Sequence, residues 1–509
     1  MLEMFKFFVS LIIICIGEVI EGKTNDDYET SIFCYGRLLH DVQVHELFKH
    51  PRDFLELRAR RPPQVISSRY REIRPKLKLA GEDGRKALKD FIRRNFVNRS
   101  SCENVSPPDW FAKPHFQRDV QDPGTLDFLK FLNRKWAQSY YNVTQEALEN
   151  MDLHATIKTR HSFYGSSRSL NYEESWWLYF GLMSSGMKIS ARQLIENLAG
   201  LVDEYGHVPP ENRLYFLGRP SPPFLAIMLE AYLNETGDLE LAGRLLPYAE
   251  IDFHYWVQST MRKVISAFDI YLVVNQVENF LSKPRPERYL EDWKRKPKNS
   301  SLKSILNVAS LIWDSDPPRG TLSVRLTAIT EWAARVLARL SQNFGGPQRR
   351  QLYSMISWEL LHTMDTLLYS RKKKQWMDYS SNYGHVNDVS LWPVYTGARP
   401  WKSHYQVPRC SSLEEYLLSA VVLQEAGQSE AAQDVAFRAL SLAAQDANLS
   451  LKNSSVAITL LRMFPQVQVP NSGAITPPVH NSIRIIVIPM IIATMICLPF
   501  LFIKGQISN

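Results

Sequence analysis

The 509-residue chain has little cysteine. Of its five cysteines, Cys15 and Cys497 lie in apolar terminal segments, which leaves Cys34, Cys102 and Cys410 in the body. Three thiols allow at most one intramolecular disulfide, and Cys34 with Cys102 is the preferred pairing because both precede the main helical region. No cysteine or histidine cluster has the spacing of a zinc site, so neither a metal nor another cofactor is expected. Dense charge of one sign is also missing. Lys+Arg 60 against Asp+Glu 52 gives +8, and the densest basic run, Arg371 to Lys374, reads as a solvated loop. That excludes a nucleic-acid partner, which calls for a denser patch interleaved with aromatics. Strand-like alternation is nearly absent, which excludes a barrel or sandwich. With 45% hydrophobic and 22% charged residues the composition is that of a folded protein, not a disordered or collagen-like one.

The two ends speak to location. Lys6 followed by the apolar run Phe7 to Ile16, with small and polar residues through Gly22, has the form of a secretory signal peptide over 1–22. Near the other end, Ile485 to Ile503 holds roughly 19 apolar residues without a charge, within the length of a membrane-spanning helix. It reads equally as the tail of a glycosylphosphatidylinositol (GPI) signal, with Asn471 to Ala474 as its small-residue site. The expected organisation is therefore a signal over 1–22, a folded domain over 23–470, a linker over 471–484 and a membrane helix or GPI tail over 485–503. Asn98, Asn104, Asn142, Asn234, Asn299, Asn448 and Asn453 each head an Asn-x-Ser/Thr sequon. Their spread agrees with a glycosylated protein on the extracellular face of the plasma membrane, attached through its C-terminal hydrophobic segment.

From about residue 120 the chain is dominated by helical periodicity. Ser190 with Gln193 reads as a capping box, Ala191, Leu194, Ile195, Leu198, Leu201 and Val202 fall on one helical face, and Gly206 stops the run. Further helices are expected over Phe224–Leu233, Leu239–Leu246, Val324–Phe344, Leu352–Leu368 and Leu413–Ala426. The fold class is all-α, either a bundle or a ring of helical hairpins, and both can enclose a pocket at their helix ends. The stretches between helices, Arg213–Pro223, Arg285–Trp293, Trp313–Arg319 and Trp376–Trp401, set Trp or Tyr beside Arg, Asp or Glu. Aromatic rings stack on sugar faces and charged groups bond paired hydroxyls, so this chemistry suits a carbohydrate.

Ser31 to Gln43, with Cys34-Tyr-Gly36 at its centre, resembles the opening of eukaryotic trehalases. Later blocks follow in the same order: Gly181 to Gly186, Glu196-Asn197, Glu204 to Pro209, Asn212 to Pro223, Pro284 to Asp292, Trp313-Asp314, Trp376 to Tyr379 and Leu391-Trp392. The similarity covers roughly residues 31 to 440. It implies an (α/α)6 toroid that hydrolyses α,α-trehalose to two glucoses with inversion. Such an enzyme needs a carboxylic acid to protonate the leaving oxygen and a carboxylate across the sugar to activate water. Carried over position by position, Asp314 stands at the general acid. Arg219 and Arg285 stand at substrate-binding arginines, Glu287 at a carboxylate of the sugar site, and Ser221 and Pro286 beside them. Arg168 is the candidate for a lost substrate arginine, and Glu174 stands where the family has an aspartate.

The chain also departs from the family pattern. Ser166 replaces the signature arginine, Glu173 a sugar-stacking tryptophan, and Pro210 an asparagine. Pro317 and Pro318 follow the expected acid and restrict its backbone. The tryptophan-bearing block appears as Arg409 to Glu415, and the glycine-rich blocks that carry the general base in the family have no counterpart before Pro470. Glu414, Glu415 and Glu425 are the nearest replacement carboxylates. The expectation is therefore a toroid, complete or short of its last helices, with two functional readings: a trehalose hydrolase impaired by the missing base, or a catalytically inactive homologue that binds a sugar or a protein partner at the cell surface.

Overall fold

A computed structural model describes residues 32–77, 81–157, 159, 162–165, 169–265, 270–274, 284–295, 321–380, 383–446 and 448–469. The signal, linker and C-terminal apolar segments lie outside the described residues, as do Arg168, Asn299 and Asp314. No helix among the described residues is long and apolar enough to cross a membrane.

Helices dominate, as the periodicity predicts. In chain order they are α1 Arg37–Val44, α2 Pro51–Leu55, α3 Pro63–Ile73, α4 Glu82–Asn95, α5 Pro123–Gln138, α6 Gln145–Glu149, α7 Tyr172–Ser184, α8 Lys188–Tyr205, α9 Phe224–Thr236 and α10 Leu239–Thr260. They continue with α11 Tyr289–Arg295, α12 Val324–Phe344, α13 Pro347–Thr363, α14 Trp392–Tyr395, α15 Leu413–Glu425, α16 Ser429–Gln445 and α17 Leu451–Met463. The predicted helix beginning at Ser190 starts earlier and has no capping box. Ser190 instead donates its hydroxyl to Asp109 at 2.5 Å, so a contact from another segment takes the role assigned to the local motif. The helix starting at Leu239 runs through Pro247 to Thr260, because burial of Phe253 and Trp256 outweighs the single hydrogen bond the proline removes.

The packing order of the helices gives the architecture. α7 packs on α9, α9 on α12, α12 on the single turn α14, α14 on α15, α15 on α17, and α17 on α7 again. These six elements form a closed inner ring. Around it lie α8, α10, α13 and α16, each beside the inner helix that follows or precedes it in the chain, and α5, which packs on the closing helix α17. This is the alternation of an (α/α)6 toroid, with an irregular segment, 396–412, where an outer helix would join α14 to α15. The expected (α/α)6 toroid is thus present, and α17 supplies its closing helix. Gly181 of α7 lets it approach, since a Cβ there would overlap Ser455, whose hydroxyl donates to the carbonyl of Trp177 at 2.7 Å.

Aromatic side chains fill the ring interior. Trp176 of α7 stacks on Phe224 of α9 with centroids 5.8 Å apart and meets Trp332 of α12 edge-on at 5.3 Å. Trp332 in turn meets Tyr395 of α14 at 6.0 Å. A second core, built by α1 to α4 from Phe33, Leu39, Phe54, Ile66, Leu88 and Phe96, receives Tyr215, Phe216 and Tyr289 from the toroid's connections. The few strands are short and antiparallel, the longest pairing being Gln375–Ser380 with Gly384–Ser390.

Candidate functional site

Alternation between outer and inner layers places the start of every inner helix at one end of the toroid. First-turn residues meet there: Glu173 of α7 pairs with Arg325 of α12, Arg325 lies over the Trp392 ring of α14 at 5.0 Å, and Glu414 of α15 pairs with Lys452 of α17. Side-chain caps hold several of these starts, with Asn171 accepting from the Glu174 amide at 2.9 Å and Ser450 from the Asn453 amide at 3.1 Å. The connections entering this end carry the residues named from the sequence.

Arg219 and Ser221, on the connection into α9, are 2% and 4% exposed. Arg219 donates Nη1 to Glu287 Oε1 at 2.6 Å and Nη2 to Oε2 at 3.3 Å, while its guanidinium lies 4.7 Å from the Phe216 ring. Burial pushes the Glu287 carboxyl up, but the Arg219 charge and its hydrogen bonds prevail and hold it below its ordinary value. Arg285 is bound to Asp292 instead, donating from its backbone amide, Nε and Nη2 at 2.8 to 2.9 Å. Arg285 therefore anchors the turn that presents the buried Pro286 and Glu287, and its field adds to the lowering of Glu287.

Glu174 occupies the first turn of α7 against Gly165, where any Cβ would overlap its carboxylate. Burial pushes its carboxyl up to about 7, with Glu211, Glu173 and Glu414 adding to the rise and Lys452 opposing it. Near neutral pH it is divided between its protonated and ionised forms, whereas the paired Glu287 and Glu414 carboxyls are held below their ordinary value by Arg219 and Lys452.

Arg325, Lys452, Glu211 and Arg52, all at this end, escaped the sequence reading. Glu211 is buried, accepts both guanidinium arms of Arg52 at 2.8 and 3.0 Å, and accepts the Ser169 hydroxyl at 2.5 Å. Its signal lay inside the recognised block, as a carboxylate between Pro210 and Asn212. Arg52 sits in a Pro- and Arg-rich stretch where periodicity gave no cue. Of the replacement bases, Glu414 alone joins the cluster. Glu415 accepts the Ser411 amide at 2.6 Å, and Glu425 is the last residue of α15, at the opposite end of the toroid. Asp378 has a structural role, capping α12 by accepting the Val324 amide at 2.8 Å. No disulfide joins Cys34 to Cys102, which corrects the expected pairing: Cys34 lies in the N-terminal core and Cys102 on a strand paired with Tyr140–Val143. Of the described sequon asparagines, Asn98, Asn104, Asn234 and Asn448 are exposed and Asn142 and Asn453 half-buried. The Asn104 amide is engaged by the carbonyls of Ala137 and Tyr140. No group of side chains among the described residues could hold a metal ion.

The family model described as Trehalase matches residues 46–311, more than half of the chain. The chain belongs to the trehalase family. It is 26% identical to a trehalase of Pimpla hypochondriaca over 403 residues, 73% of this chain and 68% of that protein. A trehalase of Apis mellifera is 25% identical over 76% of this chain and 65% of its own length, and a human trehalase 24% identical over 72% and 68%. The chain thus spans about two thirds of the length of these relatives. Among solved structures, neutral trehalase Nth1 from Saccharomyces cerevisiae aligns over 60% of this chain and 74% of that one, with a TM-score of 0.46 and 12% identity. Within this trehalase-family toroid, the Arg219–Glu287 and Arg52–Glu211 pairs and Glu174 gather at the end where the inner helices start.

Proposed function

We propose that this trehalase-family chain binds α,α-trehalose at the inner-helix end of its toroid and hydrolyses it poorly. The buried Arg219–Glu287 pair carries the binding part. Desolvating two charges is costly, and such a pair is retained where it serves recognition; together with Glu174, which donates when protonated, it offers donors and an acceptor for paired sugar hydroxyls.

The hydrolytic part rests on where the acids sit. Asp314 is the general acid that the family resemblance supplies. A base must stand across the sugar from it, some 6.5–9.5 Å away. Glu173, Glu211, Glu287 and Glu414 are each engaged by an arginine or lysine, and the charges of Arg219 and Lys452 hold the Glu287 and Glu414 carboxyls below their ordinary value. Burial raises the Glu174 carboxyl to about 7, so it is shared between a donor and an acceptor form near neutral pH. The connection into the closing helix, residues 446–450, brings only Asp446, which is exposed. Losing a general base costs about 10²- to 10⁴-fold in rate.

Location belongs to the same proposal: the signal-like N-terminus, the sequons and the apolar segment 485–503 support a protein on the extracellular face of the plasma membrane, held by a helix or a GPI anchor. The test is glucose release from α,α-trehalose by the full chain from a glycosylating host, beside calorimetric binding and the Asp314→Asn variant. Saturable binding with release at least about 10²-fold below a complete family enzyme is the expected result. Release at the rate of a complete enzyme, abolished in Asp314→Asn, would overturn the impaired reading; absence of binding would overturn the pocket.

A further inference from the structure

A separate concavity of about 310 Å³ opens in the N-terminal core, lined by none of the side chains of the sugar site. It lies at the lower end of the about 300–1,000 Å³ of small-molecule sites, which is room for one sugar ring. Leu47, Phe48, Leu57 and Phe96 give it an apolar lining. Phe48 packs on Phe54 with centroids 5.9 Å apart, and Phe54 on Phe96 at 5.2 Å, so the aromatic wall is braced from behind. Leu47, Phe48 and Leu57 are only half-buried, which leaves apolar surface facing water. Lys89 and Arg93, one turn apart on α4, are the charged members of the lining, and among the described residues no carboxylate joins them.

Asn98 lines the same cavity and heads the sequon Asn98-Arg99-Ser100. It follows directly on the strand Phe96–Val97, and extended backbone sets side chains two positions apart on one side, so Phe96 and Asn98 meet the cavity together. Asn98 is exposed, and its amide is engaged by no described residue, unlike that of Asn104, which donates to the carbonyls of Ala137 and Tyr140. The side chain that would carry an N-linked sugar therefore opens onto a hollow of one ring's size. An N-acetylglucosamine brings an apolar C–H face and an acetyl methyl to the leucines and phenylalanines, while its carbonyl and hydroxyls accept from Lys89 and Arg93. Because the tether sets a high effective concentration, weak contacts are enough to keep the ring in place.

We propose that Asn98 is N-glycosylated and that its first N-acetylglucosamine packs into this cavity as a structural part of the N-terminal core. The inference rests on the extracellular location proposed above and goes beyond it, because it gives one glycan a seat in the fold. In the modification the Asn98 Nδ2 loses a proton and bonds the anomeric carbon of a polyprenyl-pyrophosphate-linked oligosaccharide, and the lipid pyrophosphate departs. The seated ring covers the half-buried leucines and Phe48 and fastens the segments after α1 and α2 to the strand that follows α4.

The experiment combines glycopeptide mass spectrometry with hydrogen exchange of the full chain from a host that leaves oligomannose glycans, before and after endoglycosidase H, which trims each glycan to its first N-acetylglucosamine. Exchange in residues 47–57 and 96–97 should be unchanged by the trimming and about 10-fold faster in Asn98→Gln, while Asn234→Gln leaves it unmoved. A second readout does not depend on the variant folding. Peptide:N-glycosidase F, which must reach the first sugar, should release the Asn98 glycan from the native chain at least about 10-fold more slowly than the Asn234 glycan, and at the same rate once the chain is unfolded. Equal release from both sites of the native chain, or unchanged exchange in a folded Asn98→Gln, would overturn the packing. Glycans at other sequons with none at Asn98 would overturn this inference alone. A chain with no glycan at any sequon would overturn it together with the extracellular reading.

Discussion

Arg219 donates to Glu287 at 2.6 Å across 68 positions of sequence, and both side chains are withdrawn from solvent. The pair fastens the connection into α9 to the turn before α11. Arg219→Met leaves Glu287 buried and uncompensated, a loss of about 3–5 kcal/mol in urea denaturation. Replacing both residues by methionine should recover most of that stability, since a buried pair exchanged for apolar groups is close to neutral. Sugar binding should stay lost in both variants. A double variant no more stable than the single would mean that the loss does not come from the unpaired carboxylate.

Much of this arrangement was legible in the sequence, and the rest was hidden for physical reasons. Val324–Phe344 and Leu413–Glu425 could be read almost to the residue because an apolar face and a terminal Gly345 or Gly427 mark them locally. Arg219 and Glu287 could be placed in one site because each sits in a recognisable block. Ring closure could not be read. Whether α17 completes the toroid depends on contact between Gly181 and Ser455, 274 positions apart, and no periodicity reports that. Arg52 and Arg325 were missed for the same reason: their partners Glu211 and Glu173 come from distant segments, and an arginine at a helix start looks like any solvated charge until the partner is seen.

Ring closure gives the next prediction. Gly181→Ala would ordinarily favour α7, by up to about 1 kcal/mol in a helix interior. Here the added Cβ meets the Ser455 side chain and lies 2.9 Å from its Cα, so α7 and α17 must separate. Overpacking of that kind costs about 1–3 kcal/mol, and the expected outcome is net destabilisation in chemical denaturation, with faster hydrogen exchange in α17. Stabilisation by the alanine would show that α17 does not close the ring at this point.

Tyr172 ties three inner and outer helices together. Its hydroxyl donates to Asp252 of α10 at 2.6 Å and accepts the Leu225 amide of α9 at 2.7 Å, while Asp252 also accepts the Val208 amide at 2.9 Å. Tyr172→Phe removes both contacts of one hydroxyl and leaves a buried amide without its acceptor, which costs about 1–3 kcal/mol. Burial already raises the Asp252 carboxyl to about 7, with the Tyr172 hydrogen bond opposing that rise. Its loss should move Asp252 higher still, visible by carboxyl ¹³C titration; an unchanged titration would mean the hydroxyl does not bond the ionised form.

Glu174 supplies a pH test. Its folded value of about 7 lies above its ordinary 4.5, so the folded state binds the proton more tightly than the unfolded chain. The stability this provides is full below about 4.5 and is lost as pH rises through about 7, at a slope of at most about 1.4 kcal/mol per pH unit for one proton. His207 and His254 act in the opposite sense over much of the same range. Burial lowers both to about 4, so their contribution is present above about 6.5 and is lost as pH falls. The measurement is therefore a difference: stability of wild type minus that of Glu174→Gln, by urea denaturation from pH 4 to 8, in which the histidine contribution cancels. The difference should fall steadily between pH 4.5 and 7 and level off above. The depressed Glu287 and Glu414 lose their contribution only below about 4.5 and leave that window untouched. A flat difference would place the Glu174 carboxylate in water, outside the cluster with Lys452 and Glu211, and would remove the neutral donor on which the sugar-binding reading partly depends.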